Sequence, residues 1–147
     1  MSWYPHVTVA TIVEDNGRFL LVEEQSSDGK LVFNQPAGHL ERSETLVEAA
    51  LRETLEETGW TVEIQGVVGI GLYHAPVNDT TYYRTTFFAR PVHHDAQRPL
   101  DTGIMRAVWL SPEEITALGD RLRSPMVAGV IEQYRNGHRY PLSMITD

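Results

Sequence analysis

Glu53, Glu56 and Glu57 stand three and four residues apart in the segment RETLEET. If that segment is helical, with Glu53 as zero, Glu57 falls about 40° to one side and Glu56 about 60° to the other, so three carboxylates share an arc of roughly 100°. Like charges at these spacings repel, and Glu56 and Glu57 would also sit in a last turn whose dipole favours cations. Such a helix would be more stable without them. A hard divalent cation removes the conflict, because magnesium and calcium take oxygen ligands and two or three carboxylates can hold one. The bland counterpart is an acidic face that simply meets water, which is common on amphipathic helices. Spacing alone does not separate the two.

The element that must carry these residues has clear ends. Thr45 with Glu48 three residues on forms a capping box, and Gly59 stands where a left-handed C-terminal residue belongs, which predicts a helix over 46–58. Val47, Leu51, Thr54, Leu55 and Thr58 share one face of it, and that face is expected to dock on a sheet with the carboxylates nearly opposite.

Strands are expected around it. His6 to Val13 and Arg18 to Glu24 read as a hairpin about Asn16-Gly17. Leu31-Val32-Phe33 follows a turn at Ser26 to Gly29, and Gln35-Pro36-Ala37-Gly38 is expected to break regular structure. Trp60 to Ile70, Leu72 to His74, Tyr82 to Val92 and Arg106 to Leu110 read as further strands, with a turn at Pro76 to Asp79 and a polar loop from His93 to Gly103. Ser111-Pro112 and Ser124-Pro125 each give a cap followed by a first-turn proline, so short helices should run to Gly119 and to about Gly137. The tail from His138 to Asp147 carries no clear pattern. A mixed sheet with helices packed on it follows, of class α+β or α/β/α.

Composition narrows the function classes. The 147 residues read as one domain, 1–147, with a hydrophobic fraction of 41% and no apolar run long enough for a membrane span. The opening segment shows no secretory signal, and the absence of cysteine excludes disulfides, thiolate zinc sites and a cysteine nucleophile. A cytoplasmic location is the default. A net charge of −8 without a basic run argues against a nucleic-acid surface. Lys30 is the one lysine among twelve basic residues, so the arginines are the groups suited to bidentate phosphate contact.

The segment from Gly38 to Trp60, GHLERSETLVEAALRETLEETGW, resembles the Nudix box, in which a glycine, five residues, Glu, seven residues, Arg-Glu, two residues, Glu-Glu, one residue and a glycine precede an apolar residue. Gly38, Glu44, Arg52, Glu53, Glu56, Glu57, Gly59 and Trp60 fit; Thr54 stands where the pattern prefers an aliphatic, and its methyl can still pack. His6 to Ala10, Asn34 to Glu41, Leu122 to Pro125 and Arg139 to Leu142 extend the likeness to a bacterial phosphatase subgroup of that family, over nearly the whole chain. The fold this implies is the Nudix α/β/α sandwich with a mixed β-sheet.

The resemblance also implies roles. Glu53, Glu56 and Glu57 match the family's catalytic metal ligands, and the Ala37 carbonyl matches a common backbone ligand. Glu53 is the member most suited to orient or deprotonate the attacking water. Arg52 matches an arginine that orients a glutamate, and Glu44 supports the loop and the helix start. Asp95 and Asp101 lie where some families place a further acid, and Asp101 is the better placed. The cofactor implied is magnesium, with manganese as the alternative. The reaction is hydrolysis of phosphoanhydride bonds by metal-activated water in small substrates: nucleoside tri- and diphosphates, hydroxymethylpyrimidine pyrophosphate or thiamine pyrophosphate. Another X-linked diphosphate, such as ADP-ribose or a dinucleoside polyphosphate, and a non-catalytic ligand-binding regulator are the competing readings. No membrane or nucleic-acid partner is expected, and monomer and homodimer both remain open.

Other residues are weighed beside these. Arg84 interrupts an aromatic strand and would clamp a phosphate if its face lined a cleft. Gln35 and His39 flank the box glycine and either touch substrate or are merely solvated. His93-His94-Asp95 suggests a metal cluster, but adjacent histidines point apart on extended chain. Tyr73, Tyr82, Tyr83 and Trp3 could stack on a planar ring, although aromatic strand residues are usually core.

Overall fold

A computed structural model describes residues 2–147. The hairpin forms where its turn chemistry places it: β1 (His6–Asp15) and β2 (Arg18–Gln25) meet about Asn16 and Gly17, which both take positive φ, 52° and 78°. This is the backbone twist that a two-residue hairpin loop needs. Only the turn end is paired, Glu14 with Phe19 and Asp15 with Arg18. Beyond it the strands part. β2 goes on to pair with β3 (Leu31–Asn34) and β7 (Ile104–Leu110), while β1 pairs with β6 (Thr80–His94) in parallel and with β4 (Ala37–His39). β5 (Trp60–Ala75) lies antiparallel on β6, and the two-residue β8 (Tyr140–Pro141) adds to its far edge. The sheet is therefore mixed.

Alternation along the strands feeds two apolar layers. Val9, Val13, Leu20, Val67 and Phe87 point to α1 (Leu46–Thr58), whereas Ile12, Phe19, Leu21 and Val68 point to α2 (Pro112–Leu118) and α3 (Pro125–Arg135). Helices cover both faces, as the α/β/α reading expects. The helix ends also stand as expected. Thr45 and Glu48 complete a reciprocal capping box, Gly59 ends α1 at φ 77°, and Ser111 and Ser124 cap the other two helices.

Four expectations need correction. The docked face of α1 is Ala49, Ala50, Thr54, Glu57 and Thr58, and Leu51 is 36% exposed. Taking Glu57 as zero, Ala50 and Glu53 lie about 20° and 40° to either side of it, so two of the carboxylates stand in the middle of the docked arc and not opposite it. The reason is size: alanines and threonines let the helix lie close to the sheet, and the two threonine hydroxyls are satisfied within the helix, Thr54 to the Ala50 carbonyl at 2.8 Å and Thr58 to that of Thr54 at 2.6 Å.

The break expected at 35–38 contains β4, because Ala37, Gly38 and His39 find partners in Ala10, Val9 and Thr8. The two strands expected over 60–74 are one, with irregularities near Gly66 and Gly69 absorbing the bend. Strands β6 and β7 each start two residues earlier than expected, and β6 continues to His94, so the polar loop begins at Asp95. The tail is ordered on the sheet: after β8, Leu142 and Ile145 pack against the layer shared with α1.

Candidate active site

Arg52 organises the acidic residues. Its Nε and Nη2 each donate to Glu44 at 2.8 Å, its Nη1 donates to Glu53 at 2.7 Å and to Glu56 at 2.9 Å, and Nη2 also reaches the His39 carbonyl at 3.1 Å. Bonds to Glu44 are the largest of several that hold the guanidinium proton more firmly than usual. Glu44 in turn is held below its ordinary range by Arg52, and it accepts from the Glu41 N–H at 2.8 Å. Arg52 therefore ties the loop before α1 to the middle of the helix.

One arginine does not neutralise this group. Oxygens of Glu53, Glu56 and Asp101 all lie within 4.8 Å of one another. The loop carrying Asp101 is fixed there by its own N–H, which donates to the Glu56 carbonyl at 3.0 Å. Glu57 stands beside this trio and not within it: it is 7% exposed and accepts from the Ala37 N–H at 2.9 Å. Burial raises both its affinity for a proton, to about 9, and that of Glu53. The neighbouring carboxylates Glu24, Glu53 and Asp101 add to the rise at Glu57.

Gly38 completes the packing. A Cβ there would overlap the carboxyl carbon and both oxygens of Glu53, so no other residue fits without moving that glutamate. Crowded, partly desolvated carboxylates with one shared cation form a hard-oxygen donor set, which suits a divalent ion of the magnesium or manganese type.

Where β1 and β2 part, a cleft of about 410 Å³ opens, lined among others by Thr8, Glu24, Ala37, Gly38, His39 and Arg84. Arg84 is 7% exposed, and its Nη2 meets only amide oxygens, Asn34 Oδ1 at 3.2 Å and Gln35 Oε1 at 3.1 Å. Its Nε has no partner among the described residues, and no carboxylate lies within ion-pair distance of it. Burial pulls its pKa down to about 10. Glu24 and Glu57 act on this charge from beyond ion-pair distance, and a buried cation whose direct contacts are neutral gains when an anion arrives.

The other expected contacts divide. His39 lines the cleft, with its Nε2 3.0 Å from His6 Nδ1. Gln35 is buried and not solvated; its amide donates to the Val127 carbonyl at 2.7 Å, so it braces Arg84. His93-His94-Asp95 forms no cluster: His94 stacks on Trp60 with ring centroids 4.8 Å apart, and Asp95 accepts from the Gln97 N–H. Glu24 and Arg123 line the cleft as an ion pair and were not foreseen. The doublet Glu23-Glu24 was the available signal, since on a strand one of two adjacent acids must face inward.

The NUDIX domain family model matches residues 4–130. The chain belongs to the Nudix family. Over 143 residues this Nudix chain is 46% identical to phosphatase NudJ of Escherichia coli (strain K12) and of Shigella flexneri, covering 97% of the chain and 92% of each relative. A solved NUDIX hydrolase from Nitrosomonas europaea is 44% identical, with a TM-score of 0.96, over 98% of this chain and 97% of that one. The fold is thus the Nudix fold and the protein a Nudix hydrolase acting on phosphoanhydrides. Among the described residues no helix is long and apolar enough to cross a membrane.

Proposed function

We propose that this Nudix hydrolase is a magnesium-dependent phosphatase of small diphosphate and triphosphate compounds, nucleoside tri- and diphosphates and hydroxymethylpyrimidine or thiamine pyrophosphate among them. The observation that carries this reading is the approach of Glu53, Glu56 and Asp101 to within 4.8 Å, with Glu53 packed against Gly38, which lines a cleft whose buried arginine makes no ion pair among the described residues. The likeness to phosphatase NudJ supports the same substrate class.

Glu53, Glu56 and Glu57, with the Ala37 carbonyl, would hold magnesium or manganese, and Asp101 adds a further carboxylate. When bound, the cation supplies charge neutralisation of the phosphate oxygens and a water of lowered pKa. The protein's own groups do the rest. Glu53, half-buried and with raised proton affinity, is suited to accept the proton of an attacking water. Arg52 keeps that carboxylate oriented, and Glu44 keeps Arg52 in place. Arg84 lines the cleft and would offer its guanidinium charge to a phosphate oxygen there.

A panel of nucleoside triphosphates and diphosphates, hydroxymethylpyrimidine pyrophosphate, ADP-ribose and a dinucleoside polyphosphate, assayed with and without magnesium, tests the reading. Release of inorganic phosphate from the first three only with magnesium is expected. Turnover confined to ADP-ribose or the dinucleotide would sink it in favour of an X-linked diphosphate, and turnover of none in favour of a binding protein.

A further inference from the structure

The loop that carries Asp101 is tied to the helix that carries Glu53 and Glu56. A helix leaves its last carbonyls without partners inside it, and α1 brings Glu56 and Glu57 to that end with no basic residue in its last turn. Two backbone N–H groups from the 95–103 connection between β6 and β7 meet this end. Asp95 donates to the Gly59 carbonyl at 2.9 Å and Asp101 to that of Glu56 at 3.0 Å. Such donors suit the negative end of a helix dipole. Between them, from Ala96 to Leu100, the chain makes no backbone bond to the rest of the fold among the described residues. Both ends of this compact loop therefore rest on about one turn of α1.

The entry to the loop has a clamp of its own. Trp60 and His94 are cross-strand partners where β5 begins and β6 ends, and their rings stack with centroids 4.8 Å apart and planes at 17°. Trp60 also meets Trp109 of β7 edge to face at 5.6 Å, so one ring touches both strands that the loop joins. Gly59 permits this closeness: a Cβ there would stand 2.8 Å from the Asp95 carbonyl oxygen and 3.5 Å from the His94 ring. His94 is exposed, so the stack is not there to fill a core. Asp101 is exposed as well, and the ion pairs of Arg52 go to Glu41, Glu44, Glu53 and Glu56 and not to it. What holds its carboxylate beside Glu53 and Glu56 is the path of the loop.

We propose that Trp60 and His94 are positioning residues for the metal site: by fixing the start of the loop on the last turn of α1, their stack sets where Asp101 stands relative to Glu53 and Glu56. The inference rests on the reading that these carboxylates hold a divalent cation, and adds to it the device that places the one acid not carried by the helix. Neither ring touches the cation or the substrate in this account. Their effect passes through the loop, so it should vanish when Asp101 can no longer act as a ligand.

Calorimetric titration of the metal-free protein with manganese alone tests this, together with hydrogen exchange at the Asp101 N–H. His94→Ala should weaken manganese binding about tenfold and speed exchange at Asp101 in the metal-free protein, whereas His94→Phe, which keeps a stacking ring, should stay within about twofold of the parent in both. Asp101→Asn should weaken manganese binding about tenfold or more, and adding His94→Ala to it should cost less than about twofold further, because two residues acting through one group do not add. Because His94 lies at the surface, its variants should melt close to the parent. Parent-like manganese binding in His94→Ala, or a full further loss in the Asp101→Asn background, overturns the positioning role alone. Parent-like binding in Asp101→Asn removes Asp101 from the metal site and the positioning role with it, and failure of the intact chain to bind manganese overturns the metal-site reading itself.

Discussion

Gly38 lies against the carboxyl group of Glu53 so closely that the smallest side chain at residue 38 would occupy the space of the carboxylate. The glycine and the glutamate therefore form one packing unit, with β4 presenting bare backbone to α1. Gly38→Ala should displace Glu53 from its bond to Arg52. Overpacking of this kind costs about 1–3 kcal/mol, so the variant should still fold, while kcat should fall by about a hundredfold or more if Glu53 handles the water. Steady-state kinetics beside a thermal melt check it; full activity in a folded Gly38→Ala protein would separate Glu53 from the chemistry.

Arg52 is the cation shared by Glu44, Glu53 and Glu56. A lysine there presents a point charge and cannot reproduce a two-nitrogen bond to Glu44 together with bonds to the other two. Arg52→Lys should therefore lower kcat about tenfold or more with a smaller change in KM, and Arg52→Ala should do more. Equal kinetics for Arg52→Lys would reduce the arginine to a generic counter-charge.

Burial lifts Glu57 to about 9 from its ordinary 4.5. The folded metal-free protein thus holds a proton at residue 57 that the unfolded chain releases between those values. Stability from this group is fully present below pH 4.5 and is lost as pH rises through about 9. The metal-free melting temperature should fall over that window. Added magnesium should raise it more at pH 8.5 than at pH 5.5, since a bound cation must displace the proton. Glu57→Gln should flatten the metal-free profile. A melting temperature that rises with pH over this range, or a magnesium effect larger at the acid end, would contradict the assignment of Glu57 as a buried, proton-holding carboxylate at the metal site.

Local chemistry made much of this fold legible in advance. Thr45 with Glu48, Asn16 with Gly17, and Ser111 with Pro112 act through bonds within a few residues, so their spacing already states the geometry. The facing of α1 is not legible from its large residues, because close approach to a sheet favours the small Ala49 and Ala50 over Val47, Leu51 and Leu55. Glu24 and Arg123 are 99 residues apart and meet only because β2 leaves β1. The buried state of Glu57 likewise depends on a three-residue strand, β4, too short to declare itself. The acidic spacing marks the candidate metal site; the side of the helix that carries it is set by packing.

The unpaired charge at Arg84 leads to the remaining expectation. Its guanidinium is buried against the oxygens of Asn34 and Gln35, with Glu24 and Glu57 near enough to act on the charge but not to pair with it, so part of the desolvation cost is left uncompensated. Arg84→Met removes that cost and keeps the volume, but it leaves the two amide oxygens short of a donor, a penalty of about 1–3 kcal/mol each when fully desolvated. The two effects oppose, so the melting temperature should stay within a few degrees of the parent. Substrate binding has no such offset. Loss of a charge-assisted bond to phosphate should raise KM about tenfold to a hundredfold, and magnesium binding, measured separately, should be unchanged. A large stability loss with KM intact would instead make Arg84 a structural residue, bridging the strand that carries it to Asn34 and Gln35, and would leave the cleft without the cation that the phosphate requires.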